Sequence, residues 1–172
     1  MNEKNGTYNS GLAFEKSVNA CPMITEATTL KRFHTCFANK EHEEVLTPFS
    51  GSVFKRKYEE LSDLIGIDYA YHNNTNNSLY LVEAKSQEKE GSAWEKIFLF
   101  ESQLVIWTSR LRLIKEYKHV YIYYYMLMNE TLYNMIPSPY QEYMKDVEKK
   151  TNIRFFTRSL NIEDLGLMQY AK

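Results

Sequence analysis

Apolar and polar positions alternate along this chain with two periods, one near 3.6 residues and one of 2, and the switches between them mark the elements. Gly11 to Val18 has helical spacing and Ser10 as a candidate cap; Pro22 ends or bends it. Ile24 to His42 reads as a second helix with Leu30, Phe33 and Phe37 on one face. Val45 to Phe49 is a short strand or loop, and Ser50-Gly51-Ser52 is a break. Val53 to Ile65 places Phe54, Tyr58, Leu61 and Ile65 at spacings of 4, 3 and 4, an amphipathic helix that Gly66 stops. Two arms, Ile67 to His72 and Leu79 to Lys85, then flank the run Asn73 to Ser78. Asn tolerates the left-handed backbone of tight turns, so a β-hairpin is expected.

Ser92 and Glu95 form a capping box for a helix from Ala93 to about Lys115. This helix is apolar on most sides, so much of it is expected to be buried. Lys96, Gln103 and Arg110 recur along it as one polar stripe. Val120 to Leu127 is aromatic and aliphatic throughout, a buried strand. Ser138-Pro139 opens a helix to about Lys150, and Ile153 to Thr157 is a last short edge strand. Strand, long helix, strand makes a crossover unit, expected to be parallel and right-handed. The order fits an α/β fold, a mixed central sheet flanked by helices. Length predicts one domain over residues 1–172, with 1–10 flexible.

The hairpin carries the candidate chemistry. Folded symmetrically about Thr75 and Asn76, it sets His72 opposite Leu79, Ala70 opposite Leu81, and Asp68 opposite Glu83. Opposed residues have Cβ atoms about 4.5–5.5 Å apart. Glu83 and Lys85 share a strand face, about 6.6 Å apart. Two carboxylates and an ammonium then converge, and the two acids repel unless a cation lies between them. An all-oxygen pair suits Mg²⁺. The run Leu79-Tyr80-Leu81-Val82 before Glu83 is apolar on both faces, as in a central strand, where charges are costly unless paired or metal-bound.

Asp68 followed fifteen residues on by Glu83-Ala84-Lys85 resembles the Asp…(Asp/Glu)-x-Lys signature of the PD-(D/E)xK nuclease superfamily, which includes many restriction endonucleases. The Pro that often precedes the first Asp is replaced by Ile67. The resemblance implies a restriction endonuclease-like core, with Asp68, Glu83 and the Ala84 carbonyl as metal ligands and Lys85 positioning the attacking water. It further implies helper roles for Glu15, in a Gly-x-x-Phe-Glu pattern on the first helix, and for Lys96, near the start of the helix after the Glu-x-Lys strand. The expected activity is a Mg²⁺-dependent endonuclease, with Mn²⁺ as a substitute ion. It would act on double-stranded DNA, foremost as a type II restriction enzyme, and cutting both strands would favour a homodimer. A homing, repair or junction-resolving nuclease and a non-catalytic nucleic-acid-binding module are the alternatives. A structural protein with a Tyr-rich interface is the weakest rival.

Composition changes this picture little. The chain is 44% hydrophobic and 15% aromatic with fourteen Tyr, too apolar for a disordered protein. Net charge is −1, which runs mildly against a nucleic-acid binder, although Lys55-Arg56-Lys57, Arg110 with Arg112 and Lys115, and Lys149-Lys150 form basic clusters. No apolar stretch is long enough for a membrane span and no leader opens the chain, so an intracellular protein is expected. Two cysteines, Cys21 and Cys36, are expected to be free thiols. Their spacing with His34 and His42 fits no zinc site.

Overall fold

The computed structural model describes residues 46–87, 93–158, 160 and 162–167. The helices expected at Gly11–Val18 and Ile24–His42, with Glu15, Cys21, His34, Cys36 and His42, lie outside the described residues, as does Ser92 of the capping box.

Five strands form one mixed sheet whose order follows the chain: β1 (Leu46–Ser50), β2 (Tyr69–Asn73), β3 (Ser78–Lys85), β4 (Tyr121–Met128) and β5 (Ile153–Phe156). The first two pairings are antiparallel, the last two parallel. Helices α1 (Gly51–Lys57), α2 (Phe100–Leu111), α3 (Glu130–Met135) and α4 (Ser138–Lys150) complete the α/β architecture. β3 is central and buried at every position but its last, which suits an apolar run with no polar face to turn outward.

The hairpin register is the one its sequence symmetry implies: His72 pairs with Leu79 and Ala70 with Leu81. The turn explains why. Asn73 Oδ1 accepts from the amides of Thr75 (3.0 Å) and Asn76 (3.3 Å), an Asx turn. Asn77 adopts φ 53°, the left-handed conformation asparagine tolerates. The Asn77 side chain donates to the His119 carbonyl (3.1 Å), and the Tyr121 amide donates to the Asn77 carbonyl (2.9 Å), stapling the turn to β4.

Alternation along β3 divides the core. Leu79 and Leu81 face Phe54 of α1 and Phe100, Trp107 and Leu111 of α2. Tyr80, Val82 and Ala84 face the other way, against Leu160, Leu165 and Leu167. Phe54 and Trp107 stack with centroids 6.2 Å apart at 16°, pinning α1 to α2.

Three expectations need correction. The helix expected over Val53–Ile65 is instead α1, an extended Tyr58 (φ −124°, ψ 117°) and a 3₁₀ turn over Glu59–Leu61. Tyr58 packs edge-on to both Phe54 and Tyr117, and this packing breaks the helix. Leu61 stays buried, Ile65 is 68% exposed, and Gly66 stops no helix. The long helix expected from Ala93 to Lys115 is a 3₁₀ segment over Ala93–Leu99, then α2, then a 3₁₀ turn over Lys115–Tyr117. It is also less buried than its composition suggested. Phe100, Trp107 and Leu111 face the core, whereas Leu99, Val105, Ile106 and Leu113 are exposed. Of the other expected elements, β4, α4 and the edge strand β5 shift by at most a residue and β2 begins two residues late, while α3 and a 3₁₀ turn over Ile162–Leu165 answer to no expected element.

Candidate active site

The site forms where β2 stops and β3 continues. Their pairing ends at Tyr69 with Val82. Asp68 donates its amide (3.1 Å) to the carbonyl of Val82, the residue already paired with Tyr69, so it sits just outside β2 and the expected pairing of Asp68 with Glu83 is not among the strand pairs. Beyond that point β3 is paired, among the described residues, with β4 alone, through Glu83, Ala84 and Lys85. Its other edge would expose the Ala84 amide. The Asp68 side chain fills that place, Oδ2 accepting from Ala84 N–H at 2.7 Å. A strand residue sends its N–H and C=O to the same edge. The Ala84 carbonyl therefore opens toward the corner that holds Asp68.

The backbone around Asp68 is held from behind. Its carbonyl accepts from the Gly51 amide at 2.7 Å. Gly51 is buried there, and a Cβ at that position would collide with the Ile67 carbonyl. Only glycine lets α1 start so close to the segment carrying Asp68.

Glu83 and Lys85 project from the face of β3 that α2 covers, and Lys85 Nζ donates to Glu83 Oε1 in an ion pair. Glu83 is buried at 7% exposure; the Lys85 side chain keeps 37% and reaches solvent. Tyr124 of β4 lies on the same face, fully buried, and donates its hydroxyl to Gln103 Oε1 of α2 at 2.6 Å. The exits of β3 and β4 are tied by Asn129, whose amide side chain exchanges hydrogen bonds of 3.2 Å with the main chain of Gln87 while capping α3.

The electrostatics report the same clustering. Burial raises the Asp68 carboxyl above its ordinary value, and the Ala84 amide and Lys85 charge pull it partly back. Burial, then the charges of Glu83 and Asp68, push the Tyr124 phenol far up, so its hydroxyl stays protonated as the donor to Gln103.

The structure thus brings Asp68, Glu83, Ala84 and Lys85 to one corner. Lys96 does not join them: it is exposed on the 3₁₀ segment, and among the described residues no ion pair or hydrogen bond ties it to the acids. Glu15 lies outside the described residues. Sequence reasoning missed Gln103 and Tyr124. The polar stripe on the long helix was a signal for Gln103. Nothing in Tyr123-Tyr124-Tyr125 marks the middle ring as the one beside the acids.

The donor set fits a hard cation. Two carboxylates and a main-chain carbonyl are all oxygen, and Mg²⁺ is held by one or two carboxylates with waters completing its shell. Among the described residues no group of three or more His, Cys, Asp or Glu gathers as a metal cluster. No helix among the described residues is long and apolar enough to cross a membrane.

No family model, curated protein or solved structure matches this chain. The functional reading therefore rests on the corner itself.

Proposed function

We propose that the chain is a Mg²⁺-dependent endonuclease that hydrolyses DNA phosphodiester bonds, with a restriction endonuclease-like core and Asp68, Glu83 and Lys85 as its reactive set. The observation that carries this reading is the Asp68 carboxylate docked on Ala84 N–H, next to the Glu83–Lys85 ion pair. The last pair of the hairpin, Tyr69 with Val82, sets Asp68 beside the end of β3 that carries Glu83 and Lys85, which supports the reading.

Mg²⁺ held by Asp68, Glu83 and the Ala84 carbonyl would polarise the scissile phosphate and acidify a bound water. The protein's own groups divide the remaining work. Asp68 and Glu83 supply the negative charge that localises a cation. Lys85, its Nζ paired with Glu83 and its side chain 37% exposed, orients a water or offsets charge growing on the phosphate. Gln103 accepts from the Tyr124 hydroxyl and ties α2 to β4 beside the site. The small single domain suits a type II restriction enzyme acting as a two-fold dimer on double-stranded DNA.

The test is incubation of plasmid DNA with the purified protein and Mg²⁺, alongside Glu83→Ala and Lys85→Ala. Discrete fragments from wild type, lost in both variants, support restriction chemistry. Unspecific nicking lost in both supports a repair-type nuclease with the same site. Cleavage by neither wild type nor variants on duplex, nicked or single-stranded DNA overturns the proposal.

A further inference from the structure

A cleft of about 240 Å³ opens between α3, α4 and the free edge of β5, and it shares no residue with the acidic corner. Gln141, Met144, Lys145 and Glu148 line it from one face of α4. Tyr133 of α3 and Phe155 of β5 add two rings, and Phe155 is braced edge-on by Phe100 with centroids 5.0 Å apart. An apolar cavity of about 150 Å³ takes benzene, so this volume admits a two-ring heterocycle.

The polar groups of the cleft are held in place. Gln141 Nε2 donates to the carbonyls of Tyr133 (3.2 Å) and Ile136 (2.8 Å), which engages both amide hydrogens and leaves its oxygen as an acceptor only. Glu148 Oε1 accepts from the Phe155 amide on the outer edge of β5 (2.9 Å), which fixes the carboxylate and leaves its other lone pairs open. Lys145 is exposed between them, and among the described residues no ion pair or hydrogen bond engages its ammonium.

We propose that this cleft is a base-binding site that takes guanine. Two fixed acceptors and one cationic donor stand beside two rings. Guanine alone among the four bases carries two adjacent donors, N1–H and the 2-amino group, next to a carbonyl oxygen. The donors meet Glu148 and Gln141, the O6 oxygen meets Lys145, and the ring face lies on Tyr133 or Phe155. Adenine and cytosine would set a ring-nitrogen lone pair against the acceptors, and thymine brings a single N–H to both of them. A free guanine nucleotide and an unpaired guanine in a strand present this same edge. The site is independent of Asp68 and Glu83, so it stands whether or not the chain cleaves DNA.

Calorimetric titration in EDTA, where metal-dependent cleavage is silent, tests this. GMP should bind ~5- to 150-fold tighter than AMP, the range for one well-matched base edge, with inosine monophosphate, which lacks the 2-amino group, between them. Glu148→Gln keeps an oxygen for the Phe155 amide and turns a donor toward the base, so it should lose the guanine preference with an unchanged melting curve. Lys145→Met, at an exposed position, should weaken GMP and leave AMP as it was. A DNA hairpin with one guanine in its loop, set against the same hairpin with adenine there, separates the sources. Tighter binding than GMP assigns the cleft to a strand, and equal or weaker binding assigns it to a free nucleotide. Equal affinity for GMP and AMP, no binding of either nucleotide or hairpin, or a guanine preference that survives either substitution overturns the proposal.

Discussion

The Ala84 amide donates to the Asp68 carboxylate at 2.7 Å, and this bond replaces the strand pairing that β2 no longer provides. The carboxylate is a half-buried structural cap, and in the proposed reading a cation ligand as well. Burial holds its pKa above the ordinary 3.8. The folded chain therefore binds the proton more tightly than the unfolded chain does. As pH rises from 3.8 through the folded value, this group subtracts stability, and the loss is complete above that value. Asp68→Asn keeps an oxygen for Ala84 N–H and removes the half-buried charge. The metal-free variant should melt above metal-free wild type at pH 7, by ~2–4 °C for each kcal/mol relieved. Mg²⁺ at about 100 times its Kd should add about 2.7 kcal/mol to wild type and nothing to the variant. Scanning calorimetry with and without Mg²⁺ reads both, and a variant that melts lower without metal contradicts the assignment.

Lys85 holds Glu83 Oε1, the same carboxylate a cation would use. Lys85→Ala should leave Mg²⁺ binding intact or tighter, because a competing charge is gone. Cleavage under single-turnover conditions should fall by ~10²–10⁴, the range for losing a positioned proton-handling group. Calorimetric titration together with single-turnover cleavage separates the two effects; parallel loss of binding and rate would assign Lys85 a structural role instead.

Much of this corner was legible before any coordinates, for a specific reason. Side chains alternate along a strand with a period of 2, so a turn that pins register also pins which residues meet. Six turn residues rich in asparagine supplied the pin for Tyr69–Asn73 against Ser78–Val82, whereas Asp68 reaches β3 through its side chain on the Ala84 amide, which no register predicts. What was hidden depended on long-range packing. Tyr58 leaves the helical conformation because Tyr117, far along the chain, offers its ring an edge. Val105 and Ile106 look like core residues in sequence, yet the sheet meets only the Phe100–Trp107–Leu111 side of α2. The role of Gly51 was equally invisible, since a break and a close backbone approach call for the same residue.

Gly51 and Gly66 offer a matched pair of substitutions. A Cβ on Gly51 meets the Ile67 carbonyl, whereas one on Gly66 meets nothing within 4 Å. Gly51→Ala must push α1 away from the segment carrying Asp68, at ~1–3 kcal/mol for overpacking. Gly66→Ala should fall within about 0.5 kcal/mol of wild type, as exposed substitutions do. Urea denaturation gives both numbers. Mg²⁺ affinity should weaken in Gly51→Ala alone, because its displacement acts on the Asp68 backbone; equal affinities in both variants would detach Gly51 from the site.

Tyr124 is the group for which ring and hydroxyl can be separated. Tyr124→Phe preserves the buried ring and deletes the donor that reaches Gln103 at 2.6 Å. The direct loss should be ~0.5–1.5 kcal/mol of stability, the net worth of one such bond. If the hydroxyl acts on the acids only through Gln103, then Gln103→Ala should lower cleavage by the same factor, and the double variant should be no worse than either single one. A hydroxyl acting on Glu83 and Asp68 directly, as their shared influence on its ionisation allows, gives the opposite pattern, with the two losses adding. Residues in contact depart from additivity by ~0.5–3 kcal/mol, well above the error of single-turnover rates. The double-mutant cycle on cleavage therefore distinguishes a tyrosine that holds a glutamine in place from one that touches the reactive carboxylates itself.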